Sequence, residues 1–459
     1  MKKRTKYTKA LALLLAALMI LNGLTACGPA SDAGSTEDAQ ASTEEPAATG
    51  QEDETQDALP EGQWAQKLNS REITSCSSIM LSDYFDEKFM EYISTHTEGN
   101  YMVSPLSFRY ALGLLLAGAD GKTKRELLDA LGVQSEEEWI EYCLIFNGFV
   151  EKFAADLDAD VSEFKKARQE GPISEDEAEP FRALRVANSV WKAERIKREF
   201  KNKYKESVEQ NYGAEYRSFT AENAVEKINE WADIKTEHMI PELLPENYPT
   251  DDLAIVLMNA LYFKDSLVNS FPKSETKEGD FHSWDERTTR KDFMSAEMEV
   301  LYFADDATEL IILPMEGGVY MAIVLGATAR FAEKISKAKY KNVKITIPKI
   351  DLETDLSNGE LVDFLKQNGV NQAFNTQKAD FAAMITHQVY VSDIIQKTRI
   401  KLDEEGVEAA AVTAVLMANG AMPEPAETKV FTADHPFSFF IYTTCNDTTA
   451  ILFAGEIVE

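Results

Sequence analysis

Apolar residues recur at helical spacing in five stretches, Tyr84–Ser94, Ser107–Ala117, Thr123–Leu131, Ala224–Lys235 and Glu360–Asn368. In the third, Leu127, Leu128 and Leu131 share one face and Lys, Glu and Asp the other, which predicts an amphipathic helix. Gly369 is placed to stop the last one. Runs rich in Val, Ile, Phe and Tyr predict strands at Leu253–Phe263, Glu309–Leu313, Val319–Leu325, Val343–Ile347, Arg399–Leu402, Phe437–Thr443 and Ala450–Phe453. Gly317-Gly318 falls between two of these runs and predicts a hairpin turn. Helical periodicity dominates the first half and strand runs the second. That order predicts an α+β fold with antiparallel or mixed sheets, not a doubly wound βαβ pattern. No internal repeat is present. The polar stretch Asp156–Pro180 reads as an exposed helix with its loop, or an insertion, inside one globular head of residues 64–459.

The first 63 residues follow a different logic. Five basic residues among positions 2–9 precede an apolar run from Ala10 to Leu21. Twelve residues at 1.5 Å each cover roughly 18 Å, short of a hydrocarbon core of about 30 Å, so this is a signal peptide and not a membrane span. Its end, Leu24-Thr25-Ala26-Cys27, resembles the lipobox of bacterial lipoproteins. The resemblance implies cleavage after residue 26 and a lipidated Cys27 as the mature N-terminus. The chain would then be secreted across the cytoplasmic membrane and held at the outer cell surface by its lipid. Residues 28–63 contain no Lys or Arg and little to bury. Residues 27–63 therefore read as an acidic flexible tether, roughly 30–35 Å across as a coil and about 115 Å if drawn straight.

A formal net charge of −31 excludes nucleic acid as a partner and argues against activation by polyanions. Hydrophobic content of 44% is enough for a large core. Cys76, Cys143 and Cys445 form no C-x-x-C pair and read as small buried residues. No G-x-S-x-G, H-E-x-x-H or S-x-x-K set and no glycine-rich phosphate loop occurs. The five histidines, His96, His238, His282, His387 and His435, never stand three or four residues apart, as metal ligands on a helix would. The expectation is a chain without catalytic residues, metal or cofactor, and not an enzyme.

Several segments resemble the serpin family, in order and at matching separations. They are Asn100-Tyr-Met-Val-Ser104-Pro-Leu-Ser107, Gly118-Ala-Asp-Gly121-Lys-Thr123, Val186-Ala-Asn-Ser-Val190-Trp and Asn211-Tyr-Gly213-Ala-Glu215. Ile228-Asn229-Glu-Trp231 and Leu257-Met-Asn259-Ala-Leu-Tyr262-Phe-Lys264 follow, then Pro348-Lys349, Asp380-Phe381, Phe431-Thr-Ala-Asp-His-Pro436-Phe437 and Phe453-Ala-Gly455. The resemblance implies three β-sheets, eight or nine helices and an exposed reactive-centre loop, here about residues 404–430. It places Ser104, Ser107 and Asn259 in the polar "shutter" beneath the central sheet, with Gln396 where many members carry histidine. Leu267 stands at the "breach" position that is often tryptophan.

Glu404-Glu405-Gly406-Val407-Glu408-Ala409-Ala410-Ala411-Val412-Thr413 resembles the hinge of inhibitory serpins. Alone, Ala409–Ala411 would suit a helix interior, whereas Val412, Thr413 and Val415 favour a strand. The resemblance implies a suicide substrate: a serine-type endopeptidase attacks the loop, forms an acyl-enzyme, and is trapped when the cut loop enters the central sheet. Alternation puts Val407, Ala409, Ala411 and Thr413 on one face of that strand, all small and uncharged. The resemblance implies a reactive bond at a nearly fixed count beyond the hinge glycine; fourteen residues past Gly406 is Gly420, making Gly420-Ala421 the counted bond, with Asn419 and Met422 as neighbours. No Lys or Arg lies between Lys401 and Lys429, so elastase-like or subtilisin-like serine proteases are the expected partners, with cysteine proteases as a second class. The inhibitor is expected to act as a monomer. The other readings open at this point are a non-inhibitory serpin and a solute-binding or adhesion lipoprotein.

Overall fold

The structure, a computed structural model, describes residues 81–170, 180–407, 428–445 and 448–459. Cys27, Cys76, the signal peptide and the tether lie outside the described residues. So do Ala409, Ala410, Ala411, Thr413 and the counted bond Gly420-Ala421 with Asn419 and Met422.

Eight α-helices occur among the described residues: α1 (Leu81–His96), α2 (Pro105–Gly118), α3 (Gly121–Leu131), α4 (Glu136–Glu170), α5 (Asn202–Tyr212), α6 (Ala224–Lys235), α7 (Phe331–Lys337) and α8 (Glu360–Gln367). Strands β1 (Tyr101–Val103), β2 (Ala183–Ala193), β3 (Glu215–Phe219), β4 (Ile255–Ser266) and β5 (Lys277–His282) precede the long β6 (Thr288–Ala304). After it come β7 (Thr308–Pro314), β8 (Val319–Gly326), β9 (Lys339–Pro348), β10 (Ile350–Leu356) and β11 (Val391–Leu402). The last are the two-residue β12 (Gly406–Val407), β13 (Lys429–Thr432), β14 (Phe437–Cys445) and β15 (Thr448–Ile457).

One sheet runs β1-β15-β14-β8-β7-β6-β9-β13, with β5 also on β6; the other runs β10-β11-β12-β4-β2-β3. Among the described residues, the three sheets that the resemblance implies are joined into two hydrogen-bonded networks. The 17-residue β6 is the reason: its first part pairs with β5, its middle with β9 and its end with β7. Gly318, at φ 75°, makes the expected turn between β7 and β8.

The core forms around α2, which is apolar on nearly every side and buried along almost its whole length, as a helix must be when it has no solvent face. Ser104 starts it by accepting from Ser107 N, and Pro105 sits in the first turn, where its missing N–H leaves nothing unpaired. The helix packs against β15 of one sheet and β2 and β4 of the other. Strand β4 is covered by α2 and also contacts α6, which is why it reads as a continuous apolar run. The polar stretch continues α4: Trp139, Cys143, Phe146 and Phe153 are buried, and beyond residue 153 the helix is largely exposed as far as Gln169. Cys143 is a free buried thiol, pushed up in pKa by that burial. The Cys445 side chain lies outside the description.

Candidate functional site

Strands β4 and β11 lie parallel and pair directly from Val391↔Ile255 to Gln396↔Asn259. Beyond that pair they part. Among the described residues nothing pairs across positions 260–264 and 397–401, a seam of about 17 Å at 3.3 Å per residue. At its far end β12 stands between the two, with Val407 opposite Leu402 on one side and Asp265 on the other, and Gly406 opposite Ser266. Both β12 pairings are antiparallel.

Only glycine fits at 406. Its φ is 145°, and a Cβ there would lie 2.5 Å from Asp265 O and 2.9 Å from Leu267 N. The preceding residues are pinned from several sides. Leu267 N and Phe271 N donate to Glu405 O and Glu404 O, each at 2.8 Å. Glu404, 4% exposed, accepts from Lys349 Nζ at 2.8 Å and Thr276 Oγ1 at 2.7 Å. Burial alone would push its carboxyl up, but these bonds and its backbone outweigh burial and leave the pKa lowered. Glu405 pairs with Lys273 at 2.6 Å. Leu267 is buried and bridges to Met315.

Where the strands part, a buried polar cluster joins them to the start of α2. Gln396 Oε1 accepts from Ser104 N and its Nε2 donates to Ser104 O, both at 2.9 Å. Ser104 Oγ donates to Leu452 O at 2.6 Å. Asn259 Nδ2 donates to Ser107 O at 2.8 Å and to Asn188 Oδ1. Thr398 Oγ1 donates to Met102 O at 2.8 Å. All four residues expected at the shutter therefore meet. Asn188 and Thr398 belong to the same cluster; each has polar neighbours in the chain, Ser189 for the first and Gln396-Lys397 and Arg399 for the second, so no pattern in the residues singles them out.

Two carboxyls raised by burial, the second of them only half-buried, stand on the strands that border the seam. Asp265, fully buried, accepts from Ser266 N and Gly317 N at 2.9 Å each. Burial pushes its pKa up to about 7, against the pull of those two N–H groups and Arg182. Asp393 bonds Tyr248 from the segment between α6 and β4, and burial raises it to about 6. Lys397 Nζ donates to Glu242 O of that segment at 2.8 Å, a second tie across β11. The five histidines are all exposed.

A match to the serpin (serine protease inhibitor) family spans residues 86–459. The chain belongs to the serpin family. Its family is one of protease inhibitors, not of enzymes. This serpin is 30% identical to the leukocyte elastase inhibitor of Equus caballus over 386 residues, 78% of this chain and 92% of the relative. Among solved structures it is similar to an Arabidopsis serpin in its native stressed conformation, with 26% identity, a TM-score of 0.66, and coverage of 83% of this chain and 98% of that one. The thermophilic serpin Tengpin in its native state, 24% identical with a TM-score of 0.67 over 85% of this chain and 95% of that one, shares the fold.

Proposed function

We propose that this serpin is an inhibitory one, trapping a serine protease by loop insertion. The observation that carries the reading is the parted seam with Gly406 and Val407 already between its lips. In the proposed sequence, the protease serine Oγ attacks the carbonyl carbon of the reactive bond. The C–N bond breaks, the new amine leaves with the segment leading to β13, and the acyl group stays on the hinge side. Residues after Val407 then extend β12 along the seam. A full strand would bond on both flanks in place of five parallel pairings, a net gain on the order of 10–20 kcal/mol at about 0.5–1.5 kcal/mol per bond. Loss of triad and oxyanion-hole alignment removes several kcal/mol of transition-state stabilisation, so that gain is large enough to stop deacylation.

In this reading Glu404, Gly406, Val407, Ala409, Ala410, Ala411 and Thr413 act as hinge, and Ser104, Ser107, Asn259 and Gln396 as shutter. An elastase-like or subtilisin-like target is supported by the absence of Lys and Arg from 402 to 428 and by the likeness to a leukocyte elastase inhibitor. The Leu24–Cys27 segment supports a lipid anchor at the cell surface. The test is incubation of the purified chain with elastase, subtilisin and trypsin, followed by denaturing electrophoresis. Denaturant-stable complexes are expected with the first two and not with trypsin. Cleavage without any complex would defeat the inhibitory reading.

A further inference from the structure

Residues 330–344 carry six basic side chains against one acidic, in a chain whose net charge is −31. Three of the six are occupied locally. Arg330 and Lys337 pair with Glu333, and Lys334 donates to Thr308 Oγ1 at 2.8 Å and Ala327 O at 2.7 Å. Lys339, Lys341 and Lys344 are exposed, and among the described residues no carboxylate or carbonyl engages their ammonium groups. Between them Tyr340 is 65% exposed, and beside Lys344 on the next strand Val430 is 64% exposed.

The position of this row matters as much as its charge. Strand β13 runs parallel to β9, Lys429 opposite Val343 and Val430 opposite Lys344. The chain therefore enters β13 from the Lys339 end of β9. Asn342 Nδ2 holds Thr428 Oγ1 at 3.1 Å there, and Glu297 accepts from both. The counted bond Gly420-Ala421 precedes Thr428 by about eight residues, a reach of no more than roughly 26 Å. A protease of some 250 residues has a radius of gyration of about 18 Å, comparable with that reach, so a protease seated on that bond can touch this end of β9.

We propose that Lys339, Lys341 and Lys344, with Tyr340 and Val430, form a docking patch for an acidic surface of the protease that attacks the loop. This rests on the inhibitory reading and adds a partner chemistry to it. The acidic remainder of the chain repels such a protease, and the patch gives it one favourable approach, beside the bond it must cut. Lysines on an open strand edge also deter edge-to-edge pairing, but at Lys344 the strand is already covered by β13, so that role does not account for the whole row.

The test uses the full chain carrying Lys339→Glu, Lys341→Glu and Lys344→Glu. A control carries Lys197→Glu, Lys201→Glu and Lys203→Glu, the same change in net charge beyond the Lys192–Ile255 end of the ladder, away from Val407. The probes are one subtilisin of acidic and one of basic isoelectric point, and the readout is the second-order rate at which uncut chain disappears. With the acidic subtilisin the patch variant should be attacked about tenfold more slowly at about 50 mM salt, narrowing to less than about twofold at 0.5 M. The control should stay within about twofold of the unaltered chain, and the basic subtilisin should not be slowed. An unchanged rate for the patch variant, or equal slowing by the control, overturns the proposal. The fraction of attacked chain that ends in covalent complex is scored separately. If it is zero, the inhibitory reading falls while the attack rate still decides the patch.

Discussion

Gln396 and Asn259 are the last residues paired between β11 and β4, and both reach from that pair to the backbone of the Ser104–Ser107 turn. The point where the sheet divides is thus the point where it is tied to the central helix.

Gln396 serves both the N–H and the C=O of Ser104. Gln396→Leu leaves the buried Ser104 N–H unpaired, at about 1–3 kcal/mol, while Ser104 O keeps its bond from Phe108 N at 3.1 Å. Urea unfolding should lose about 1–3 kcal/mol, and Gln396→His, able to serve one group at a time, should fall between. Equal midpoints for all three chains would deny the amide its part in closing the sheet.

Asp265 sets a pH dependence with a defined sign. The folded carboxyl keeps its proton to about pH 7 and the unfolded one only to about 3.9, so the folded chain binds more protons between those values. Stability from this group therefore falls as pH rises through that window, by at most about 4 kcal/mol. Asp393, raised to about 6, adds to the slope with the same sign. Denaturation of Asp265→Asn between pH 4 and 7 should show a flatter profile than the unaltered chain, and a parallel profile would refute the assignment.

Val407 is 1% exposed between two strands, and in a strand continued from it as proposed Ala409 and Ala411 would share its face. Ala409→Arg or Ala411→Glu would carry an unpaired charge into that buried face. Each should turn the inhibitor into a cleaved substrate, with the initial rate of protease attack kept within about twofold, since the charge acts after acylation. Stoichiometric trapping by both variants would rule insertion out.

The reactive bond can be read directly. Mass spectrometry of the released C-terminal fragment should place its first residue between Gly420 and Pro423, Ala421 by count. A fragment starting before Ala418 would undo the count.

Cys27→Ser should move the protein from membrane to soluble fractions without altering inhibition by the head. If the unaltered chain incorporates no fatty acid and partitions into the aqueous phase of a detergent separation, there is no lipid anchor.

Much of this was legible in the residues. Ala224–Lys235 was readable at both ends, because its apolar stripe begins and stops with the helix. Strand β11 was read only from Arg399, although it starts at Val391. Ser392, Asp393 and Lys397 interrupt its pattern because they serve the crossing segment before β4, bonding Ala254 N, Tyr248 and Glu242 O. Strand β6 escaped notice for a related reason: much of it faces solvent, so its alternation is diluted by charge. The four shutter positions and, among the described residues, the hinge positions Glu404, Gly406 and Val407 could be named through family likeness, but Asp265 could not. A single aspartate at a strand end looks like a surface residue until Gly317 and Arg182 are found around it.

β12 runs against both neighbours, whereas β4 and β11 run with each other where they touch. If the loop inserts as proposed, its journey has two unequal legs. Across the first five positions each advancing residue adds bonds on two flanks and no described strand pairing is broken. From Gln396↔Asn259 onward the five parallel pairings must be unzipped before their partners can be re-engaged. The race between trapping and deacylation is then run at a halfway gate about 17 Å into the sheet, and not at the moment of cleavage.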